Sequence, residues 1–313
     1  MIDWKKEYAE AFFQMLECVH EEKEKYDDIC CNLVFENFPT SLFKYSYFDR
    51  DEHWKELVLG EVFFQHPSSW NDLFDSACVF EYERLKKEME EICLRMNISD
   101  FENKTQNLVE EVIKWTREAV LEKNRDENKS NKPSEANGME NTAFHEFIKK
   151  INFCSHFTHV FKASCFSEEN NNMKMWYYYA ANYTGFCVEF DFSEHKHAYT
   201  QYMRPVMYTE KKYIAQEADY FVGKKIFLPM LLKNPCWSNE KEWRFIYPHN
   251  PTFEVQALNE GIVKGIYLGN KISQDDEEQV ISHLKNSKNP IPKIFKMVPN
   301  KYINSFDAQE ISI

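Results

Sequence analysis

Glycine is scarce in this chain, with seven in 313 residues. Neither G-x-G-x-x-G nor a Walker sequence occurs, which argues against Rossmann and P-loop enzymes, whose glycine loops cradle phosphates. The nine cysteines form no C-x-x-C and share no repeated spacing, so they read as small apolar residues of a reduced protein, the adjacent pair Cys30-Cys31 included. No apolar run of about eighteen residues exists to span a bilayer. The first thirty residues are charged and amphipathic, unlike a signal peptide, so a cytoplasmic location without membrane contact is expected. Net positive charge is also missing. The formal charge is -13, leaving no global basic footprint for nucleic acid, although a local basic groove stays open. H-E-x-x-H and G-x-S-x-G are absent, and His195-Lys-His197 and His156-x-x-His159 lack a third ligand at standard spacing. No metal site is assigned.

What the chain does hold is rings, at 16% aromatic residues, in a pattern of mixed strands and helices. Trp4, Tyr8, Phe12, Met15, Leu16 and Val19 recur at helical intervals and predict one amphipathic helix over 2–30, within an N-terminal helical segment 1–36. The main domain is expected over 37–313. Its strands are read at 41–46, 61–66, 160–166, 186–192, 204–208, 240–247, 265–269 and 293–298, with a helix near 274–286. Residues 76–123 show two helical stripes and read as a hairpin insertion, and the apolar-poor run 124–141 reads as a mobile loop. Residues 210–232 read as mainly helical. Strands and helices do not alternate strictly. The expected class is therefore α+β: one mixed-sheet domain with an N-terminal helix and a helical hairpin insertion.

The stretch from Ala163 to Phe192 organises the rest. An apolar strand bearing Ser164 and Ser167 is broken by asparagines, and a helix rich in aromatic residues runs from Met173 to Asn182. Gly185 is placed where a helix takes a left-handed end, and a second strand follows. Upstream, P-S-S-W-N-D-L-F-D is a turn-rich loop holding Asn71, Asp72 and Asp75, the kind of loop on which binding groups collect. Downstream, alternation along the strand points Glu240 and Glu242 to one face.

Four segments in order carry a resemblance: L-F-K-Y-S-Y-F-D from Leu42, F-F-Q-H-P-S-S-W-N-D-L-F-D from Phe63, C-F-S-E-E with M-W-Y-Y-Y-A-A-N-Y-T-G-F-C-V-E-F from Cys165, and W-S-N-E-K-E-W-R from Trp237. Over roughly residues 40 to 270 they resemble the bacterial domain-of-unknown-function family numbered 2971. Ser46 stands where an arginine is common, Leu73 replaces a proline, and Tyr178 and Tyr183 occupy positions often held by histidine.

More loosely, the layout is similar to the arginine-serine-glutamate class of ADP-ribosyltransferases. That fold-level likeness implies an ADP-ribosyltransferase or NAD glycohydrolase with NAD as substrate, acting on a protein or nucleic-acid acceptor, in a toxin or antiphage effector. It implies Glu242 as the carboxylate facing the oxocarbenium-like ribose and Glu240 as the residue orienting or deprotonating the acceptor. Ser167 would hold the cofactor or position Glu242, with Lys44 or Tyr45 on the first strand and Lys44 meeting the pyrophosphate. Asn71 and Asp72 would take ribose hydroxyls, and Trp176 and Tyr179 would stack on a ring of the nucleotide.

Plainer readings stand beside these. Glu240 and Glu242 pair with Lys233, Lys241 or Arg244 on a solvated sheet face. At least two of Trp176, Tyr177, Tyr178 and Tyr179 pack as core, because a helix turns about 100° per residue. Asn71 and Asp72 make turns with their own backbone. Ser167 caps the segment that follows it. A non-catalytic ligand-sensing or interaction module is the alternative function, and a metal-dependent nuclease using Asp72, Asp75, Glu240 and Glu242 is the third.

Overall fold

The computed structural model describes residues 3–18, 20–48, 53, 61–72, 75–76, 78–79, 161–193, 196–200, 202–214, 227–248, 255–257, 263–286 and 292–312. The expected insertion 76–123, the loop 124–141 and His156, His159 and His195 fall wholly or almost wholly outside these residues. Of the helix read over 210–232, residues 215–226 also fall outside; the described parts form a strand at Tyr213–Ile214, a 3-10 turn at Leu228–Leu231 and the start of a strand at Leu232 instead.

The amino-terminal segment forms two helices rather than the single helix expected. Helix α1 (Trp4–Glu17) starts at Asp3, whose side chain accepts from the Lys5 amide at 3.1 Å, and it ends where Cys18 turns extended. Helix α2 (His20–Glu36) runs on from there. The apolar spacing that joins the two in sequence does not register this backbone break. Tyr8, Phe12 and Met15 of α1 and Cys30 and Val34 of α2 are buried in the same core as the sheet.

In chain order the strands are β1 (Ser41–Ser46), β2 (Glu61–Phe63), β3 (Cys78–Val79), β4 (Phe161–Ser167), β5 (Phe186–Asp191), β6 (Met203–Pro205), β7 (Met207–Tyr208), β8 (Tyr213–Ile214), β9 (Leu232–Lys233), β10 (Glu242–Pro248), β11 (Val255–Ala257), β12 (Val263–Leu268), β13 (Lys293–Pro299) and β14 (Phe306–Ile311). The remaining helices are α3 (Met173–Tyr178), α4 (Lys196–Tyr199) and α5 (Gln274–Asn286). Eight strands make one mixed sheet in the order β14-β13-β12-β5-β1-β4-β10-β6. Only β12 and β13 pair in parallel within it, and α5 joins them; the other neighbours are antiparallel. The fold is α+β, as the pattern predicts.

Alternation sorts the sheet into two faces. Leu42, Phe166, Val188, Phe190, Trp243, Phe245 and Ile266 share the large core with α1, α2 and α5. The opposite face carries Tyr45, Cys187, Tyr267 and Met297, covered by Met175 and Trp176 of α3 in a smaller core. Gly185 is required for a different reason than the left-handed helix end predicted for it. Positive φ falls instead at Ala181, Asn182 and Tyr183. At Gly185 a Cβ would lie 2.2 Å from the Ser46 carbonyl oxygen, so only glycine lets β5 start against β1.

Candidate functional site

The α3 face of the sheet also holds the carboxylates. Glu242 on β10 is the direct partner of Ser167 on β4, and Ser167 is in turn paired with Phe43 on β1. Directly opposed residues project to one face, so the serine and the glutamate adjoin. Glu240 reaches them differently. It ends a 3-10 segment, Pro235–Glu240, that Asn234 caps by accepting from the Cys236 amide at 3.0 Å. Lys241 then adopts a left-handed conformation (φ 46°, ψ 51°) before β10 begins. Both carboxylates turn to the same place, but through a hook and a hinge rather than through strand alternation.

That place is the Lys233 ammonium on β9. Lys233 Nζ donates to Glu240 Oε2 at 2.6 Å and to Glu242 Oε2 at 2.8 Å, and lies 3.6 Å from Asp75 Oδ2. Arg244 forms the other half of the network. Its Nε donates to Glu242 Oε1 at 2.7 Å and its Nη2 to Glu242 Oε2 at 3.1 Å. Toward Asp75, Nη1 and Nη2 meet the two carboxylate oxygens at 2.7 and 2.6 Å, and Nη1 also donates to the Met230 carbonyl. All five guanidinium protons therefore have acceptors. The Trp70 ring lies 4.3 Å below the guanidinium carbon. Lys233, Glu240, Glu242, Arg244 and Asp75 are all buried, so the pairing expected on a solvated sheet face is found inside the molecule.

Hydroxyls finish the shell. Tyr179 donates to Glu240 Oε1 at 2.8 Å, and Ser167 donates to the Glu240 backbone carbonyl at 2.7 Å. The Glu242 amide donates to the Tyr208 hydroxyl at 2.9 Å. The Cys165 thiol donates to Glu242 and is itself pushed up by burial and by that carboxylate.

The two glutamates respond oppositely to this shell. Burial pushes Glu240 up, against the Lys233 ammonium, and the Glu242 charge adds to the rise. Burial would raise Glu242 too, but the Arg244 guanidinium and then Lys233 hold it well below the usual carboxylate range. Three carboxylates face two cations, so the cluster carries one surplus negative charge when all are ionised. Glu240 is where a proton would settle.

The other residues singled out in the sequence are dispersed. Lys44 alternates to the opposite face, where it donates to Ser164 at 3.0 Å and lies over the Phe166 ring. Tyr45 is buried and donates to the Glu169 carbonyl at 2.7 Å. Trp176 is fully buried, with its indole N–H on the Asn170 carbonyl at 2.7 Å, so its ring packs as core. Asn71 is exposed and Asp72 half-buried; the loop that carries them delivers Trp70 and Asp75 to Arg244 instead. The acidic residues of the nuclease reading do converge in part, as Asp75, Glu240 and Glu242, but around Lys233 and Arg244. Among the described residues no group of three or more His, Cys, Asp or Glu is arranged to hold a metal ion, and no helix is long and apolar enough to cross a membrane.

Trp237 and Tyr178 edge the cluster on its outer side. Lys233 Nζ is 5.5 Å from the Trp237 ring centre, and Tyr178, 58% exposed, meets Trp237 edge-on at 6.3 Å. The Lys233 pairing expected on a solvated face is present but buried, whereas Tyr208 is a member of the site that the sequence does not announce. The only sequence signal for Lys233 is its closeness to the E-K-E run, and for Tyr208 there is none, because its approach depends on β7 pairing with β9.

Residues 175–245 match the family model described as a protein of unknown function (DUF2971). The resemblance expected over residues 40 to 270 is thus shown for this segment, which contains Tyr179, Tyr208, Lys233, Glu240, Glu242 and Arg244, whereas Trp70 and Asp75 lie before it. No curated protein and no solved structure matches the chain, and the looser likeness to ADP-ribosyltransferases gains no support from these comparisons.

Proposed function

We propose that the Glu240–Glu242 pair is the working centre of a nucleotide-binding enzyme that breaks the nicotinamide–ribose bond of NAD and passes ADP-ribose to an acceptor or to water. The observation that supports this reading is the one ammonium shared by two carboxylates whose proton affinities are driven apart. As the C1′–N bond breaks, its electron pair goes to the nicotinamide nitrogen, which leaves neutral, and positive charge builds on the ribose. Glu242, held ionised, faces that charge in a site poor in water, where its field is strong. Glu240 takes the proton of the incoming hydroxyl as the new C1′–O bond forms, and its raised proton affinity suits that task. Tyr179 orients Glu240, and Ser167 fixes the backbone that carries it. Both carboxylates are nearly sealed, with the Trp237 ring 5.5 Å from the Lys233 ammonium they share.

Nicotinamide release from NAD, followed for wild type and for Glu242→Gln and Glu240→Gln, tests the proposal. Turnover by wild type and its loss in both variants, each still folding cooperatively, is the expected result. A wild-type protein that leaves NAD intact with water and with protein or nucleic-acid acceptors overturns it. The rival, a non-catalytic ligand-sensing module, draws on a separate observation: an arginine with every donor matched braces a core as well as a catalytic site. An enzyme that drained NAD would act as a toxin or antiphage effector, and expression of wild type, but not of Glu242→Gln, would then arrest growth.

A further inference from the structure

The aromatic residues that the carboxylate chemistry leaves unused are not scattered. Trp237 meets Tyr178 edge-on at 6.3 Å, Tyr178 meets Tyr177 at 5.1 Å, Tyr177 meets Tyr183 at 6.3 Å, and Tyr183 meets Phe306 at 5.6 Å. These rings make a continuous path from the edge of the ionic cluster, around α3, to the start of β14. Tyr177 and Tyr178 are more than half exposed, unlike their neighbours Trp176 and Tyr179 on the same helix. Burial therefore accounts for one side of α3 and leaves the other side as an open tyrosine surface. The left-handed run Ala181–Tyr183 turns the third tyrosine onto the same path.

Charge on the α3 part of this path departs from that of the chain, although Asp307 follows Phe306 at its far end. The protein has 51 acidic residues, yet none lies between Asn170 and Val188. Two lysines flank the rings. Lys271 Nζ sits 5.0 Å from the Tyr183 ring centre and donates to Asn182 Oδ1 at 3.3 Å, and Lys174 donates to Asn239 Oδ1 at 3.3 Å. Both lysines are exposed, and neither has an acidic partner among the described residues.

We infer that this surface binds single-stranded nucleic acid, with bases stacked on Tyr177, Tyr178 and Tyr183 and backbone phosphates met by Lys174 and Lys271. The exposed Tyr177 and Tyr178 rings and the half-buried Tyr183 ring accept any base by its π-face, and a segment without carboxylates flanked by separated ammonium groups suits a flexible polyanion. An acidic peptide would take the charges but leave the rings unused, and a duplex would hide its base faces from them. The inference does not depend on NAD chemistry, because it is read out by binding alone.

Fluorescence anisotropy of a labelled single strand of about twelve nucleotides, within the usual site size of such proteins, tests it. Tyr177→Ala and Tyr178→Ala are each expected to weaken binding about 5- to 140-fold, and Tyr178→Phe to preserve it. With two phosphates neutralised, log K should fall with log salt at a slope of about -1.4, and Lys271→Ala should remove about half of that slope. Both tyrosines are exposed, so these variants fold as the parent does. Three results would each overturn the inference: no binding at low salt, equal competition by duplex or polyphosphate, or affinity unchanged in the tyrosine variants.

Discussion

Replacing Arg244 by methionine puts the buried network under the greatest strain. The guanidinium is fully buried and gives five donors to two carboxylates and a carbonyl, so its loss leaves Asp75 and Glu242 with Lys233 as the remaining cation of the network. Removing one partner of a buried ion pair costs about 3–5 kcal/mol, mostly from the charge left behind. At about 2–4 °C per kcal/mol, the melting temperature should drop by roughly 6–20 °C. The pH dependence makes the test sharper. Glu242 is held below the usual carboxylate range, so it stabilises the fold above an unfolded value of about 4.3, and that contribution fades as pH falls through its lowered folded value. Without Arg244 the folded affinity of Glu242 for a proton rises, and acid unfolding should begin at higher pH than in wild type. Thermal unfolding followed by circular dichroism from pH 3 to 8 reads both effects. A variant with wild-type melting and an unmoved acid limb would show that the network contributes little, and the reasoning about its geometry would fail.

Other expectations follow from the same contacts. Tyr179→Phe removes the hydrogen bond that favours ionised Glu240, so the basic form should appear only at higher pH and the acid limb of the proposed NAD turnover should shift upward. Gly185→Ala sets a methyl 2.2 Å from a backbone oxygen and should abolish soluble expression, while Thr184→Ala next to it, exposed, should be well tolerated. Ser167→Ala loses the bond to the Glu240 carbonyl and should cost about 1 kcal/mol in urea unfolding, with a larger fall in kcat than in substrate affinity.

Apolar patterning was enough to place β1, β4, β5 and β13 within a residue or two, because each carries buried apolar residues. It did not by itself bring Glu242 to Ser167, a pairing that only the ADP-ribosyltransferase likeness implied and that the β4–β10 register supplies. It missed β14, whose four central residues are exposed and carry no apolar period. It also fused α1 and α2, because Cys18 breaks the backbone without breaking the apolar spacing. The site was half legible for a related reason. Glu240, Lys233 and Arg244 are near in sequence, so their meeting could be guessed, whereas Asp75 stands 169 residues from Arg244 and is brought there by a loop. Burial of the cluster was not legible at all, since E-K-E-W-R reads as a solvated edge until the aromatic helix is laid beside it.

That long separation bears on how the molecule is made. During synthesis Asp75 leaves the ribosome well before the arginine it will neutralise, and Glu242 emerges only just ahead of it. No nascent chain short of residue 244 holds the complete set of counter-ions, so the carboxylates cannot take up their opposed proton affinities until translation has passed that codon. Any chemistry that depends on those opposed affinities would thereby stay silent on incomplete polypeptides.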